Sequence, residues 1–298
     1  MLEITRIDRV GVVAPALPPQ VALFEELFGF RAGEPTIDAD GSAVRVRLSM
    51  PGRSDVDWEV AAPTLKSSPL QAFIDSPLGP GIHNLVLRVP DLDATVEELR
   101  SHEIEPWRGD PGDGSEPGEE VDIHPSRGGQ GFLFRLRGPE DGGERPPPAE
   151  DHEGALGIVA LDHLSHAHGE RDVLADWYER VFGMRLGRRG EEDERPFATT
   201  VLDIPTGQMH WEILQPVGER SFIQRFLERR GPGIHHVTFQ VGDWDRAIAA
   251  CEAYDVTTFG GSEGVRDGWG WAETFLHPRQ AGGILVQLFW EEAPGVWI

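Results

Sequence analysis

The chain repeats itself over most of its length, which confines it to two copies of one fold. GPGIHNLVL at residues 79–87 returns as GPGIHHVTF at 231–239. IDRVGVV (7–13) matches LDHLSHA (161–167), and VALFEELFGF (21–30) matches LADWYERVFGM (174–184). WEVAAP (58–63) matches WEILQP (211–216), and IHPSRGGQGFLFRL (123–136) matches LHPRQAGGILVQL (276–288). The offset stays near 153 residues, from 152 at Gly79 and Gly231 to 154 at Ile7 and Leu161, so the halves differ by few insertions. Between them RGPEDGGERPPPAEDHEGA (137–155) is rich in Pro, Gly and acid and predicts a linker. The reading is two domains, 1–138 and 156–298.

Each half divides again. In the second, DHLSHA reads as a short strand, and DVLADWYERVF as a helix stopped at Gly183. FATTVLDI and MHWEIL read as strands, and FIQRFLERR as a short helix. HHVTFQV, helix DRAIAACEAY and strands WAETFL and GILVQLFW repeat the pattern. Every half is itself a doubled βαβββ unit.

Strand alternation separates the two neighbouring histidines. His235, Val237, Phe239 and Val241 share one face, while His236, Thr238 and Gln240 share the other. The first face predicts core and the second a polar cleft. His236 is therefore the functional candidate and His235 a satisfied buried histidine. In the first half His83 takes the core position and Asn84 the cleft position.

Composition excludes several classes. Acidic residues number 51 against 27 basic ones, giving a net charge of −24, which argues against nucleic acid and anionic membranes as partners. Lys66 is the single lysine, a bias that a high-salt cytoplasm or a GC-rich genome would each produce. One cysteine, Cys251, excludes a disulfide framework within the chain and a multi-cysteine zinc site. Without a membrane-length apolar run or a signal-like start, the expectation is a soluble cytoplasmic protein, with the oligomeric state, homodimer included, left open.

The quoted segments resemble the vicinal oxygen chelate superfamily (glyoxalase, bleomycin resistance and extradiol dioxygenase proteins). The wording is nearest to methylmalonyl-CoA epimerase and glyoxalase-like proteins. Those carry a histidine on the first strand, a carboxylate or amide before a "LLEP" segment, and the second histidine of "GPGLHH". Their fourth feature is an acid in "HPKSTGGVLVEL". The resemblance covers nearly the whole chain, twice. It implies an α+β fold of tandem glyoxalase-like domains, each made of two βαβββ modules forming a cupped mixed sheet. It also implies a metal set in the second domain, His163, Glu212, His236 and Gln287, with Arg9, Glu59, Asn84 and Arg135 at the matching places of the first. Two imidazoles, a carboxylate and an amide oxygen suit one divalent Fe, Mn, Co, Ni or Zn ion. Arginines cannot ligate a cation, so a degenerate first domain without metal is expected, with Glu59 paired to Arg9 or Arg135 instead.

The implied activity is an isomerase, epimerase or lyase-type proton transfer next to a metal-bound carbonyl, on a small molecule with vicinal oxygens or a carbonyl. Glu212 is the expected catalytic residue. The family pattern places Glu where Gln287 stands, and epimerases place a second acid near Thr200; both are absent here, which weighs against two-base epimerisation. Pseudo-two-fold symmetry within a half exchanges His163 with His236 and Glu212 with Gln287, so the acid can cross the site. Two rivals stay open. One is an extradiol-type ring-cleaving dioxygenase, for which His163, His236 and Glu212 supply a two-histidine, one-carboxylate set. Its usual tyrosine has only Tyr178 and Tyr254 to draw on, both in predicted helices. The other rival is a non-catalytic small-molecule binding protein, using Trp211, Trp269, Trp271 or Trp290 to stack on a flat ligand. Arg185, Arg188 and Arg189, with Arg225, Arg229 and Arg230, are the basic clusters available to the phosphates of an acyl-CoA.

Overall fold

The computed structural model describes residues 1–107, 120–139, 146–190 and 196–297. The first half runs β1 (Arg6–Val13), α1 (Leu17–Glu26), β2 (Arg31–Ala32), β3 (Thr36–Ile37), β4 (Ala43–Ser49), β5 (Asp57–Pro63), α2 (Pro69–Asp75), β6 (Gly81–Arg88), α3 (Leu92–Ser101), β7 (Glu120–Ile123) and β8 (Leu133–Arg137). The second runs β9 (Ile158–Ala167), α4 (Arg171–Phe182), β10 (Arg185–Gly190), β11 (Phe197–Asp203), β12 (His210–Pro216), α5 (Phe222–Arg230), β13 (Gly233–Val241), α6 (Trp244–Ala253), β14 (Thr258–Arg266), β15 (Trp269–Leu276) and β16 (Val286–Glu291).

Two curled mixed sheets result. One has the order β2-β4-β5-β1-β6-β8-β7 with β3 added on β4; the other has β10-β11-β12-β9-β13-β16-β15-β14. In both, the middle four strands repeat one pairing. β9 runs parallel to β12 and antiparallel to β13, which runs parallel to β16; β1, β5, β6 and β8 pair in the same way. Local chemistry repeats with them. Asp91 caps α3 by accepting from the Ala94 amide at 2.9 Å, and Asp243 caps α6 by accepting from the Arg246 amide at 3.0 Å. Two strands escape the sequence reading, β10 (RLGRRG) and β14 (TFGGSEGVR). Both are edge strands, largely exposed and rich in Gly, so no buried face marks them with alternating apolar residues.

The helices and the apolar faces of both sheets share one continuous core. Phe28 meets Phe239 at a ring distance of 5.9 Å, and Phe134 meets Tyr178 at 6.1 Å and Trp211 at 5.9 Å. Each half therefore lays aromatic side chains against the other. The repeated glycines serve the same seam. A Cβ on Gly131 would stand 2.1 Å from the Pro232 carbonyl oxygen, and one on Gly283 would stand 2.4 Å from that of Pro80. Both glycines have φ of 90°, so the Gly-Gly loop of each half fits against the Gly-Pro-Gly loop of the other only without side chains.

Beyond β8 the expected linker is partly described; residues 140–145 lie outside the described residues. Its later portion is fastened down. His152 Nε2 lies 3.0 Å from the Glu25 carbonyl oxygen, and Arg246 forks onto Asp151 at 2.6 and 2.7 Å. Among the described residues no helix is long and apolar enough to cross a membrane.

The double histidine sits differently from the simple alternation. The register from β13 to β9 jumps between Ile234 and His236, so His235 is the extra residue of a β-bulge. It is half-buried rather than core, with its ring 5.0 Å from that of Phe226 under α5. His83 occupies the equivalent bulge in β6 and is likewise half-buried, its ring 4.6 Å from that of Phe73.

Candidate metal centre

The four central strands of the second sheet each send one side chain to the same spot. Glu212 and His236 both stand opposite Ser165 of β9, while Thr238 stands opposite His163 on one side and Gln287 on the other. The alternate residues Leu164, Trp211, Val237 and Leu288 point the other way and are fully buried in the core. Period-two alternation thus gives this sheet an apolar back under the helices and a polar cup in front.

His163 Nε2 is 3.5 Å from Glu212 Oε2, and His236 Nε2 is 3.8 Å from the same oxygen. Gln287 Oε1 is 3.1 Å from His236 Nε2. The ligand atoms of His163, Glu212 and His236 all lie within 4.8 Å of one another. A divalent ion with bonds of about 2.1 Å holds its ligand atoms roughly 3–4 Å apart, so the donor set fits such an ion. Hydroxyl groups bridge the donors. Ser165 Oγ donates to Glu212 and lies 2.9 Å from His236 Nε2; Thr238 Oγ1 lies 2.9 Å from His163 Nε2 and donates to Gln287 Oε1 at 2.9 Å.

The electrostatics divide the two histidines. Burial disfavours a charged His163, but hydrogen bonds and charge from Asp162 and Glu212 outweigh it and raise its pKa to about 10. Burial also works against the Glu212 carboxylate, yet His163, His236 and Ser165 bring its pKa down to about 2. Burial, together with the neighbouring His235 and His163, holds His236 well below the usual imidazole value. A proton on His163 therefore faces the charged Glu212, while His236 stays neutral.

This constellation can be set beside known proteins. A family model described as the glyoxalase/bleomycin resistance protein/dioxygenase superfamily matches residues 162–275. Ethylmalonyl-CoA/methylmalonyl-CoA epimerase of Cereibacter sphaeroides is 31% identical over 132 residues, covering 44% of this chain and 97% of that protein. The chain belongs to this superfamily. Mitochondrial methylmalonyl-CoA epimerase of Dictyostelium discoideum is 29% identical over 136 residues, covering 45% of this chain and 80% of its own length. Among solved structures, a mutant 4-hydroxymandelate synthase from Streptomyces coelicolor superposes with a TM-score of 0.65 at 14% identity, covering 98% of this chain and 94% of that one. That likeness establishes the tandem fold over nearly the full length.

Against this superfamily background, three further residues join the centre. Asp162 lies 2.7 Å from His163 Nδ1, which orients the ring and leaves Nε2 facing the cup. Glu273 of β15 accepts from Gln287 Nε2 at 3.0 Å and from Trp297 Nε1 at 2.8 Å. It thereby fixes the amide with its oxygen toward the histidines. The Trp297 ring stacks nearly parallel to His163 at 6.2 Å. Asp162 had a signal in the sequence, since Asp precedes the strand-one residue in both IDRV and LDHL. Glu273 had none, because its neighbours are set only by the pairing of β15 with β16. Thr200, near which the family's epimerases carry a second acid, stands opposite Ile213 and faces the core, whereas Thr199 and Val201 alternate toward the cup. Of the tryptophans, Trp211 is core, Trp271 and Trp290 are half-buried and Trp269 is exposed.

In the first half the matching places carry ion pairs. Arg9 Nη1 donates to Asp8 at 2.6 Å, and its Nε lies 3.0 Å from Glu59 Oε2, a charge contact whose N–H is not aimed for a hydrogen bond. Arg45 Nη1 reaches Glu59 Oε1 at 3.2 Å. Arg135 Nε sits 3.0 Å from Asp122 and 3.1 Å from Glu120.

Proposed function

We propose that the chain is a divalent-metal-dependent enzyme moving a proton at a carbon next to a carbonyl, with acyl-CoA thioesters of the methylmalonyl type as the first substrates to test. The supporting observation is the convergence of His163, Glu212, His236 and Gln287 donor atoms in one cup. Fe, Mn, Co, Ni or Zn held there would polarise the carbonyl and acidify the adjacent C–H. Gln287 would present only its oxygen, because Glu273 engages its amide nitrogen.

Two carboxylates would share the proton traffic, Glu212 and Glu273. Gln287 stands opposite Phe275, and Glu212 opposite Val201; one step along, Phe289 stands opposite Glu273 and Leu214 opposite Thr199. Glu273 is thus the pseudo-two-fold counterpart of Thr199, just as Gln287 is that of Glu212. The acid expected at Gln287 thus has its counterpart in Glu212, and the one expected near Thr200 has its counterpart in Glu273. A two-carboxylate proton transfer would keep its parts, with each acid moved across the pseudo-two-fold. The metal-loaded protein should exchange the α-hydrogen of methylmalonyl-CoA with deuterium from solvent. Glu273→Gln should slow this by about 100-fold, the usual scale for losing a general base, while leaving metal content unchanged. No exchange by metal-loaded protein would defeat the reading.

Metal uptake carries its own signature. His163 is a cation up to its pKa of about 10, and a metal needs the neutral imidazole. Binding at pH 7–8 should therefore release about one proton per ion, seen as a heat that changes with the ionisation enthalpy of the buffer. A heat independent of buffer would contradict this arrangement.

The second reading is an extradiol-type dioxygenase, favoured by the two-histidine, one-carboxylate subset His163, Glu212 and His236. Oxygen uptake with catechols by the iron-loaded protein, without exchange on acyl-CoA, would select it. A protein that takes up no metal yet binds a flat small molecule would fit the third reading, a non-catalytic binding protein.

A further inference from the structure

A cavity of about 640 Å³ lies where the two halves meet, walled by Phe73, Ile82 and Arg135 from the first and by Phe226, Arg229 and Arg230 from the second. Phe73 and Phe226 are repeat equivalents, so the cavity straddles the internal two-fold. Its charge is the reverse of the chain's. Five arginines line it, Arg45, Arg135, Arg225, Arg229 and Arg230, and among the described residues no Asp or Glu does. The chain as a whole has 51 acidic residues and 27 basic ones.

The arginines fall into two sets. Arg45 and Arg135 are anchored from behind, by Asp38 and Glu59 in one case and by Glu120 and Asp122 in the other. Arg225, Arg229 and Arg230 ride on α5, and among the described residues none of the three makes an ion pair. Arg225 and Arg229 are one helical turn apart, a like-charge spacing that costs stability unless an anion offsets it. Burial and the charge of Arg229 lower the pKa of Arg230, whose guanidinium lies 5.8 Å over the Phe226 ring.

We infer that this cavity is a second small-molecule site, for an organic anion joining a phosphate or carboxylate head to an apolar body. The guanidinium groups would fork onto the head, and Phe73, Phe226 and Ile82 would cover the body. The site adjoins the metal cup without coinciding with it. His236 borders both, but His163, Glu212 and Gln287 do not line the cavity.

Calorimetric titration of the full chain with 1-naphthyl phosphate and with 1-naphthoate tests this, with 1-naphthol as the uncharged control. At least one of the two anions should bind once per chain, unaffected by EDTA, while naphthol binds about tenfold more weakly or not at all. Arg225→Ala with Arg229→Ala should weaken the anion about tenfold at an unchanged melting temperature, since both side chains are exposed. Arg230→Glu should weaken it further. The inference falls if neither anion saturates, if the double variant binds as tightly as the parent, or if EDTA abolishes binding and so moves the anion to the metal cup.

Discussion

Glu212→Ala is expected to abolish turnover, by more than about 1,000-fold, because on the proposed function it would remove a metal ligand and a general base together. Its carboxylate contacts both His163 and His236, at 3.5 and 3.8 Å. Without it the two imidazoles keep only an amide oxygen as their third donor. Asn84→Ala, at the matching place of the first half, should leave turnover near that of the parent. Metal content measured on both variants separates ligand loss from misfolding. The exchanged pair Glu212→Gln with Gln287→Glu should retain the metal, since the pseudo-two-fold carries each residue to the other's place. Equal losses of activity from Glu212→Ala and Asn84→Ala would mean that the active site lies elsewhere.

Arg9→Ala should cost about 3 kcal/mol of stability, at the lower end of what breaking a buried ion pair costs. Arg9 is 4% exposed and contacts Asp8, which is fully buried, as well as Glu59. Removing it strands charge that water cannot reach. Arg47 and Arg88 still face Asp8, and Arg45 still faces Glu59, which is why the loss stays at that lower end. The effect should depend on pH. Burial opposes the Asp8 carboxylate, but Arg9, Arg47 and Arg88 hold its pKa below the ordinary aspartate value. A depressed carboxylate contributes stability above its unfolded pKa and loses it as pH falls through its folded one. The gap between parent and variant should therefore be widest near neutrality and narrow below about pH 4. Chemical denaturation at several pH values measures it, and a loss below about 1 kcal/mol at pH 7 would class the pair with ordinary surface ion pairs.

The first-half network also accounts for how arginine takes up the role of a cation. Arg9, Arg45 and Arg135 supply positive charge where the second half gathers groups that could hold a metal, and they do so against Glu59, Glu120 and Asp122. We propose that this half is structural, its charges pairing among themselves and its aromatic side chains completing the shared core.

His163, Glu212 and Gln287 were named through the family resemblance, whereas the repeat, the doubled unit within each half and the choice of His236 over His235 were legible in the sequence itself. These depend on local order: which residues alternate on a strand, and which segments recur at a spacing of about 153 residues. Polar His236 and Thr238 alternating with apolar Val237 and Phe239 told which face would be wet. What lay beyond that was decided by pairing between strands and between halves. The bulge that turns His235 out of the core comes from the register of β13 on β9. Glu273 becomes part of the centre only because β15 pairs with β16 and brings it to Gln287. The arginine-lined cavity needs α5 to meet the first half, a contact between residues some 150 positions apart. Alternation is written along one chain segment, whereas register and interface are settled by the free energy of the whole packed molecule.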